Sequence, residues 1–260
     1  MIMSPIPGTQ AVTRAVSLLK QFSEAEPELA LAALARGAGL HRATAHRLLS
    51  ALEREGMIAR DVTGERYRLG PEAIALGARA ARATDLRAVA RGELLALAAL
   101  SGETATLEVP AGADMLIVDE VAGKALISAS ASAGTRWPAH ATSTGKAVLA
   151  ALTAEDRRRV LGRRLARCTP RTVTSFEALG RELERTARQG FAVAAGELEP
   201  GYAAVGAVVR DPSGRPVAAL SVGSPSARLP ARRLRQLGPA VRDAAARVSR
   251  TLGYDGRDAR

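Results

Sequence analysis

Residues 31–52 constrain the fold more than any other stretch. Leu29–Gly37 reads as a short helix, with Leu31, Leu34 and Ala35 at helical spacing up to Gly37-Ala38-Gly39, and a second periodic run starts at Arg42 and closes at Gly56. Two short amphipathic helices joined by a glycine-containing turn bury their apolar stripes only by packing on each other and on a third element. On the second helix Ala45, Leu48, Leu49 and Leu52 share one face. The opposite face carries Ala43, Arg47, Ser50 and Arg54, with Thr44 and His46 on its flanks and Arg42 at its N-terminal end. A further helix is expected at Val12–Phe22. After the pair, Thr63-Gly64 lies between Ile58/Val62 and Tyr67/Leu69, the pattern of a β-hairpin. Helix, short helix, turn, helix and hairpin within about 60 residues is the order of a winged helix-turn-helix.

Such a unit reads DNA with the N-terminal half of its second helix. The candidate base-reading residues are therefore Arg42, Thr44, His46 and Arg47. Arginine pairs bidentately with guanine, and threonine contacts a thymine methyl or a phosphate. The hairpin adds Arg60, Arg66 and Arg68, placed to touch phosphate or the minor groove. The same residues would also suit a merely solvated helix face. The glycine turn, the polar N-terminal face and the basic hairpin together favour DNA. The net charge of +11 agrees with an anionic partner but is spread along the chain and selects none.

Gly70-Pro71 marks a boundary, followed by an alanine-rich helix at Glu72–Ala83 and another at Asp85–Leu100. Beyond Ser101 the pattern changes. Thr104–Val109, Met115–Val121, Ala125–Ser130, Phe191–Ala195, Tyr202–Arg210 and Val217–Val222 read as strands. Gly145–Leu152, Ala154–Leu165 and Pro230–Leu252 read as helices, and Thr174-Ser-Phe-Glu177 fits a capping box. Helices around an antiparallel sheet make this second domain α+β, and the whole chain mixed α/β. The expected division is a flexible arm at 1–10, a winged helix-turn-helix at 11–71, a linker helix at 72–90, an α+β domain at 91–254 and a tail at 255–260.

Several chemistries are excluded by what is missing. A single cysteine, Cys168, forbids an internal disulfide framework and a cysteine-based metal cluster. The three histidines His41, His46 and His140 offer no metal-ligand spacing. No apolar run approaches the ~20 residues of a membrane helix, and the start lacks a signal-peptide pattern, so a cytoplasmic protein with no membrane partner is expected. The stretch Ala141-Thr-Ser-Thr-Gly-Lys-Ala147 departs from a phosphate loop, with His140 at the first glycine and Ala147 at the magnesium-binding hydroxyl. No Ser/His/Asp set or cofactor fingerprint is present, so neither an enzyme nor a cofactor is expected.

The run Leu31-Ala-Ala-Leu-Ala-Arg-Gly-Ala-Gly-Leu-His-Arg-Ala-Thr-Ala-His-Arg-Leu-Leu-Ser-Ala-Leu52, with Gly56 and Tyr67-Arg-Leu-Gly70, closely resembles the IclR family of bacterial transcription regulators. Gly102-Glu-Thr104, His140–Ala147, Gly190-Phe191, Glu197-Leu-Glu-Pro-Gly201 and Ala218-Ala-Leu-Ser221 match the family's second half in order and spacing. The resemblance spans about Gln10 to Gly253. It implies a GAF-like effector-binding domain whose small-molecule pocket falls on Ser143 and Thr144, in the loop before Gly145-Lys146, and on Ala194, Ala204, Ser221 and Gly223. It also implies dimers formed through the DNA-binding domain, which pair into tetramers.

Relatives of that family that take small oxo-acids tend to carry Asp, Cys and Ser at positions 194, 204 and 223. This chain has Ala, Ala and Gly there. A pocket without those polar groups leaves more room and more apolar wall, so the expected effector is larger or more apolar than a small oxo-acid. The function read from the sequence is thus a ligand-responsive regulator, a repressor by the family's commoner habit, on a roughly palindromic operator. The alternatives weighed are a sensor module that signals by protein contacts and, behind it, a hydrolase or acyl-transfer enzyme.

Overall fold

The computed structural model describes residues 9–23, 26–61, 63–82, 86–124 and 133–256. The expected strand at Ala125–Ser130, the hairpin residue Val62, most of the expected arm and the last four residues of the tail lie outside them. The chain divides into two compact units, Met1–Thr84 and Asp85–Arg260. Two helices fill the stretch read as a linker: one, at Pro71–Arg82, goes with the first unit, and the other, at Leu86–Ser101, with the second.

In order, the first unit holds α1 (Gln10–Leu19), β1 (Leu29–Ala30), α2 (Leu31–Gly37), α3 (Arg42–Arg54), β2 (Ile58–Arg60), β3 (Arg66–Leu69) and α4 (Pro71–Arg82). Its core is built from Leu18, Leu34, Ala35, Ala45, Leu49, Ile58 and Tyr67. Those residues are the apolar stripe of each helix and the inward position of each wing strand. Leu29-Ala30 is a strand rather than the start of α2. It pairs antiparallel with β3, Leu29 opposite Tyr67, and gives a three-stranded sheet in the order β1-β3-β2. A two-residue strand has no periodicity of its own; it exists because the outer edge of β3 offers backbone donors and acceptors that need partners.

The second unit is a six-stranded antiparallel sheet with helices on both faces. Its elements are α5 (Leu86–Ser101), β4 (Thr104–Ala111), β5 (Asp114–Val121), β6 (Arg136–Pro138), a turn of 3-10 helix (Ala139–Ala141), α6 (Ser143–Ala150), α7 (Ala154–Leu161), α8 (Phe176–Gln189), β7 (Ala192–Ala195), β8 (Tyr202–Arg210), β9 (Pro216–Pro225) and α9 (Ala231–Thr251). The strand order is β6-β5-β4-β9-β8-β7.

Side chains alternate along the central strands with period two. Ala105 and Leu107 on β4, Ala203, Val205, Ala207 and Val209 on β8, and Ala218, Leu220 and Val222 on β9 face α5 and α9 and form the larger core. The intervening residues face α6, where Met115, Val148, Leu149, Leu179, Leu183 and Ala219 make a second core. Toward the other end of that face Thr106, Glu108, Ala204, Ser221 and Gly223 replace bulky apolar residues, and a cavity opens.

Two helix starts differ from the expected ones. Helix α6 begins at Ser143, not at Gly145, because Thr142 in extended conformation accepts the Gly145 N–H at 3.1 Å and acts as the cap. Ser143 and Thr144 are therefore helical residues. Helix α8 is capped by Ser175, which accepts the Ala178 N–H, and not by Thr174.

Candidate functional site

The first candidate surface is the outer side of α3. Ala45 and Leu49 are fully buried, which turns Arg42, Ala43, His46 and Arg47 outward; all four are exposed, and Thr44 is half-buried at the flank. Helix α3 starts from His41, whose side chain makes no capping bond. Its first N–H groups thus point outward beside the arginines, a setting that favours phosphate.

The three wing arginines differ in their surroundings. Arg60 donates to the Glu53 carboxylate at 3.1 and 3.3 Å and to the Gly64 carbonyl at 3.2 Å, and its guanidinium lies 5.0 Å from the Tyr67 ring centre. It therefore ties the wing to the end of α3. Arg66 donates to the Glu28 carbonyl at 3.4 Å, and Arg68 is exposed. Asp61 organises the wing loop by accepting from Thr63 Oγ1 at 2.6 Å and from the Glu65 and Arg66 N–H groups at 3.0 and 3.1 Å. Those bonds, the Thr63 hydroxyl first, hold its carboxyl below the ordinary aspartate value.

The second candidate site lies between the sheet and the N-terminus of α6. Two rows of paired residues lie beneath it. Ala194, Ala204, Gly223 and Thr104 stand side by side across β7, β8, β9 and β4, and Gly206, Ser221 and Thr106 form the next row. A Cβ on Gly206 would lie 2.9 Å from the Thr144 nitrogen, so only glycine lets the start of α6 come down onto the sheet there. The cavity is narrow, with about 20 Å³ open to the centre of a water molecule and about 380 Å³ of atom-free space once its open mouth is included. Ser143, Thr144, Ala194, Ala204 and Ser221, all expected in the site, line it.

Gly223 does not line it. A side chain on Gly223 would collide with the hydroxyl of Tyr202, whose phenol covers the glycine. The room expected from glycine at this position is filled by a neighbouring side chain. Other lining residues were not among those expected, Glu108, Trp137, Glu197 and Tyr202 among them. The signal for Glu108 was present in β4, where Thr106 and Glu108 alternate with Ala105 and Leu107 in a strand otherwise fit for burial.

Glu108 is 3% exposed. Its Oε1 accepts from Thr106 Oγ1 at 2.9 Å and its Oε2 from Thr144 Oγ1 at 2.6 Å. The Thr106 and Ser221 hydroxyls are 2.8 Å apart. Burial pushes the Glu108 carboxyl above the ordinary glutamate value, against the pull of the two threonine bonds. The Tyr202 phenol is also pushed up, by burial and then by the nearby carboxylates, Glu108 foremost.

Lys146, the last residue but one of the phosphate-loop-like stretch, is 1% exposed and is not among the residues that line the cavity. Its ammonium donates to Glu197 at 2.5 and 2.6 Å and to Glu182 at 2.6 Å. Burial raises the Glu197 carboxyl in spite of the Lys146 charge. His140 is also structural, its Nε2 lying 2.8 Å from the Ala166 carbonyl oxygen. Among the described residues no group of three or more His, Cys, Asp and Glu side chains is placed to hold a metal, and no helix is long and apolar enough to cross a membrane.

A family profile described as the IclR helix-turn-helix domain matches residues 11–62, and one described as the bacterial transcriptional regulator IclR C-terminal domain matches residues 78–250. The chain is 32% identical over 250 residues to the HTH-type transcriptional regulator XynR of Escherichia coli, covering 96% of this chain and 99% of that one. It is likewise 32% identical to the transcriptional repressor IclR of E. coli, over 95% of this chain and 90% of that protein. Among solved structures, an IclR homolog from Microbacterium hydrocarbonoxydans complexed with 4-hydroxybenzoate superposes with a TM-score of 0.80 at 29% identity, covering 93% of this chain and 98% of that one.

Proposed function

The chain belongs to the IclR family of bacterial transcriptional regulators, and from that premise we propose that it is an effector-controlled repressor of its own operator. The observation that carries this reading is the outward face of α3, where Arg42, His46 and Arg47 surround an exposed helix start. In this reading Arg42, Thr44, His46 and Arg47 meet base edges. Arg66 and Arg68 meet the sugar-phosphate backbone, and Arg60 holds the wing at its angle to α3.

A single winged helix contacts too little DNA for a specific site, so the working unit is a dimer on a roughly palindromic operator. Val12 and Ile74, 65% and 71% exposed, are apolar surface on the DNA-binding unit that suits such pairing. Repression follows the relative named above as a repressor.

The effector enters the cavity above the β7–β8–β9–β4 floor. Ser143, Thr144 and Ser221 supply its polar contacts, and Ala194, Ala204 and Trp137 its apolar and aromatic wall. An aromatic body fits this wall, as the 4-hydroxybenzoate complex of the Microbacterium homolog illustrates. The effector controls DNA affinity only through the difference in its own affinity for the two arrangements of the dimer.

Fluorescence anisotropy on the DNA upstream of the protein's own gene, against scrambled DNA at two salt concentrations, tests the DNA half of the proposal. A preference for the native fragment that survives the higher salt is the expected result. Equal, steeply salt-dependent binding to both DNAs would reduce the interaction to charge attraction and overturn it.

A further inference from the structure

Three ionisable side chains line the cavity, Tyr202, Glu197 and Glu108; the regulatory reading uses none of them, and Glu197 is already paired with Lys146. Glu108 sits on β4 with both oxygens directed at hydroxyls, Thr106 on one side and Thr144 on the first turn of α6 on the other. A hydroxyl has one proton and two lone pairs. When Glu108 is ionised it can only accept, so Thr106 and Thr144 both spend their protons on it. The 2.8 Å bond between Thr106 and Ser221 then has Ser221 as its donor. The one proton of each of these three hydroxyls is thereby committed, so the Glu108 end of the cavity presents their lone pairs and a carboxylate, and a second carboxylate, Glu197, also lines the cavity. None of the residues lining the cavity is Arg, Lys or His. The nearby ammonium of Lys146 is already shared between Glu182 and Glu197.

We infer that Glu108 sets the chemical class of the effector: the ligand presents a cationic nitrogen bearing N–H donors, an amine or an amidine, to the Glu108 end of the cavity. At that end an incoming carboxylate would face the Glu108 carboxylate and three hydroxyls whose protons are already committed. An amidine meets the carboxylate with two parallel N–H donors, and its remaining donors meet the hydroxyl lone pairs. Its charge also compensates the buried Glu108 carboxylate, whose hydrogen bonds come from the Thr106 and Thr144 hydroxyls. The apolar body of the ligand then lies on Ala194, Ala204 and Trp137. This inference rests on the reading of the cavity as the effector site.

Three probes of one shape and different charge test it: 4-hydroxybenzoate, 4-hydroxybenzamide and 4-hydroxybenzamidine, titrated calorimetrically into the full-length protein and into the Glu108→Gln variant at about pH 7.5. In the wild type the amidine is expected to bind tightest and the benzoate weakest, by about tenfold or more between them. Glu108→Gln, nearly isosteric, should remove most of that difference. Benzoate binding as well as the amidine, an order unchanged in the variant, or no binding of any probe to either protein would overturn the inference. The wild-type order decides the matter even if the variant does not fold. Anisotropy with the upstream DNA, run on the same samples, separates the two claims. The expected probe order without any effect on DNA would leave the class of ligand standing and sink the regulatory reading.

Discussion

The phenol of Tyr202 covers Gly223: its hydroxyl lies where a side chain at that position would have to go. The two residues stand on adjacent antiparallel strands, with Gly223 paired to Ala204, two residues along β8 from Tyr202. A glycine that looks like empty space in the sequence is the seat of an aromatic ring in the fold. The apolar character of the cavity thus comes with a phenol at its edge.

Gly223→Ala should destabilise the protein by about 1–3 kcal/mol, the usual cost of overpacking a filled site. In a Tyr202→Ala background the same substitution should cost little, because the obstructing ring is gone. Urea unfolding of the two single variants and the double variant measures the coupling. Equal costs in both backgrounds would show that the ring is not the obstacle.

Glu108 should give stability a pH dependence of definite sign. Its carboxyl is raised above the ordinary value near 4.5 by burial, so the folded state binds the proton more tightly than the unfolded state does. Its contribution is complete below that ordinary value and is lost as pH rises through the raised one. Melting temperatures from pH 4 to 8 should therefore shift steadily in favour of Glu108→Gln over the wild type as pH rises, then run parallel. Parallel curves over the whole range would contradict the shift.

Lys146→Met leaves the Glu197 carboxylate buried without its cation. Breaking such a pair from one side costs about 3–5 kcal/mol, and adding Glu197→Gln should recover a large part of it. Thermal unfolding of the single and double variants reads both effects. A Lys146→Met protein as stable as the wild type would mean that the pair does not hold α6 in place.

On the DNA face, Arg47→Ala should lower affinity for the specific site by about 1–3 kcal/mol if it reads a base edge. Arg66→Ala should weaken all DNA alike and lower the salt slope by about one unit if it meets one phosphate. Arg60→Ala, by freeing the wing from Glu53 and Tyr67, should also reduce the protein's melting temperature. Anisotropy on operator variants at several salt concentrations separates the first two; unchanged specificity in Arg47→Ala would remove it from the base-reading set.

What the sequence decided by itself is local. The apolar stripe of Ala45, Leu48, Leu49 and Leu52 fixes which side of α3 is buried, and therefore that Arg42 and Arg47 face outward. The Thr63-Gly64 turn, the strand Tyr202–Arg210 and the inward alternation of β8 and β9 are legible for the same reason: helical and extended periodicities are carried by neighbours in the chain. The motif at Leu31–Leu52 and those of the second half also carry the family. The tertiary structure decided whatever depends on partners far apart in sequence. Leu29-Ala30 is a strand because Arg66 and Tyr67 come to lie beside it. Ser143 and Thr144 are helical because Thr142, in extended conformation, caps the Gly145 N–H. Gly223 holds no cavity because Tyr202, two residues along β8 from Gly223's partner Ala204, folds across it. Glu108 becomes the centre of a hydroxyl cluster because Thr144, 36 residues away, is brought to it by α6. Burial, and with it the chemistry of a carboxyl group, is a property of assembled elements, and no local pattern states it.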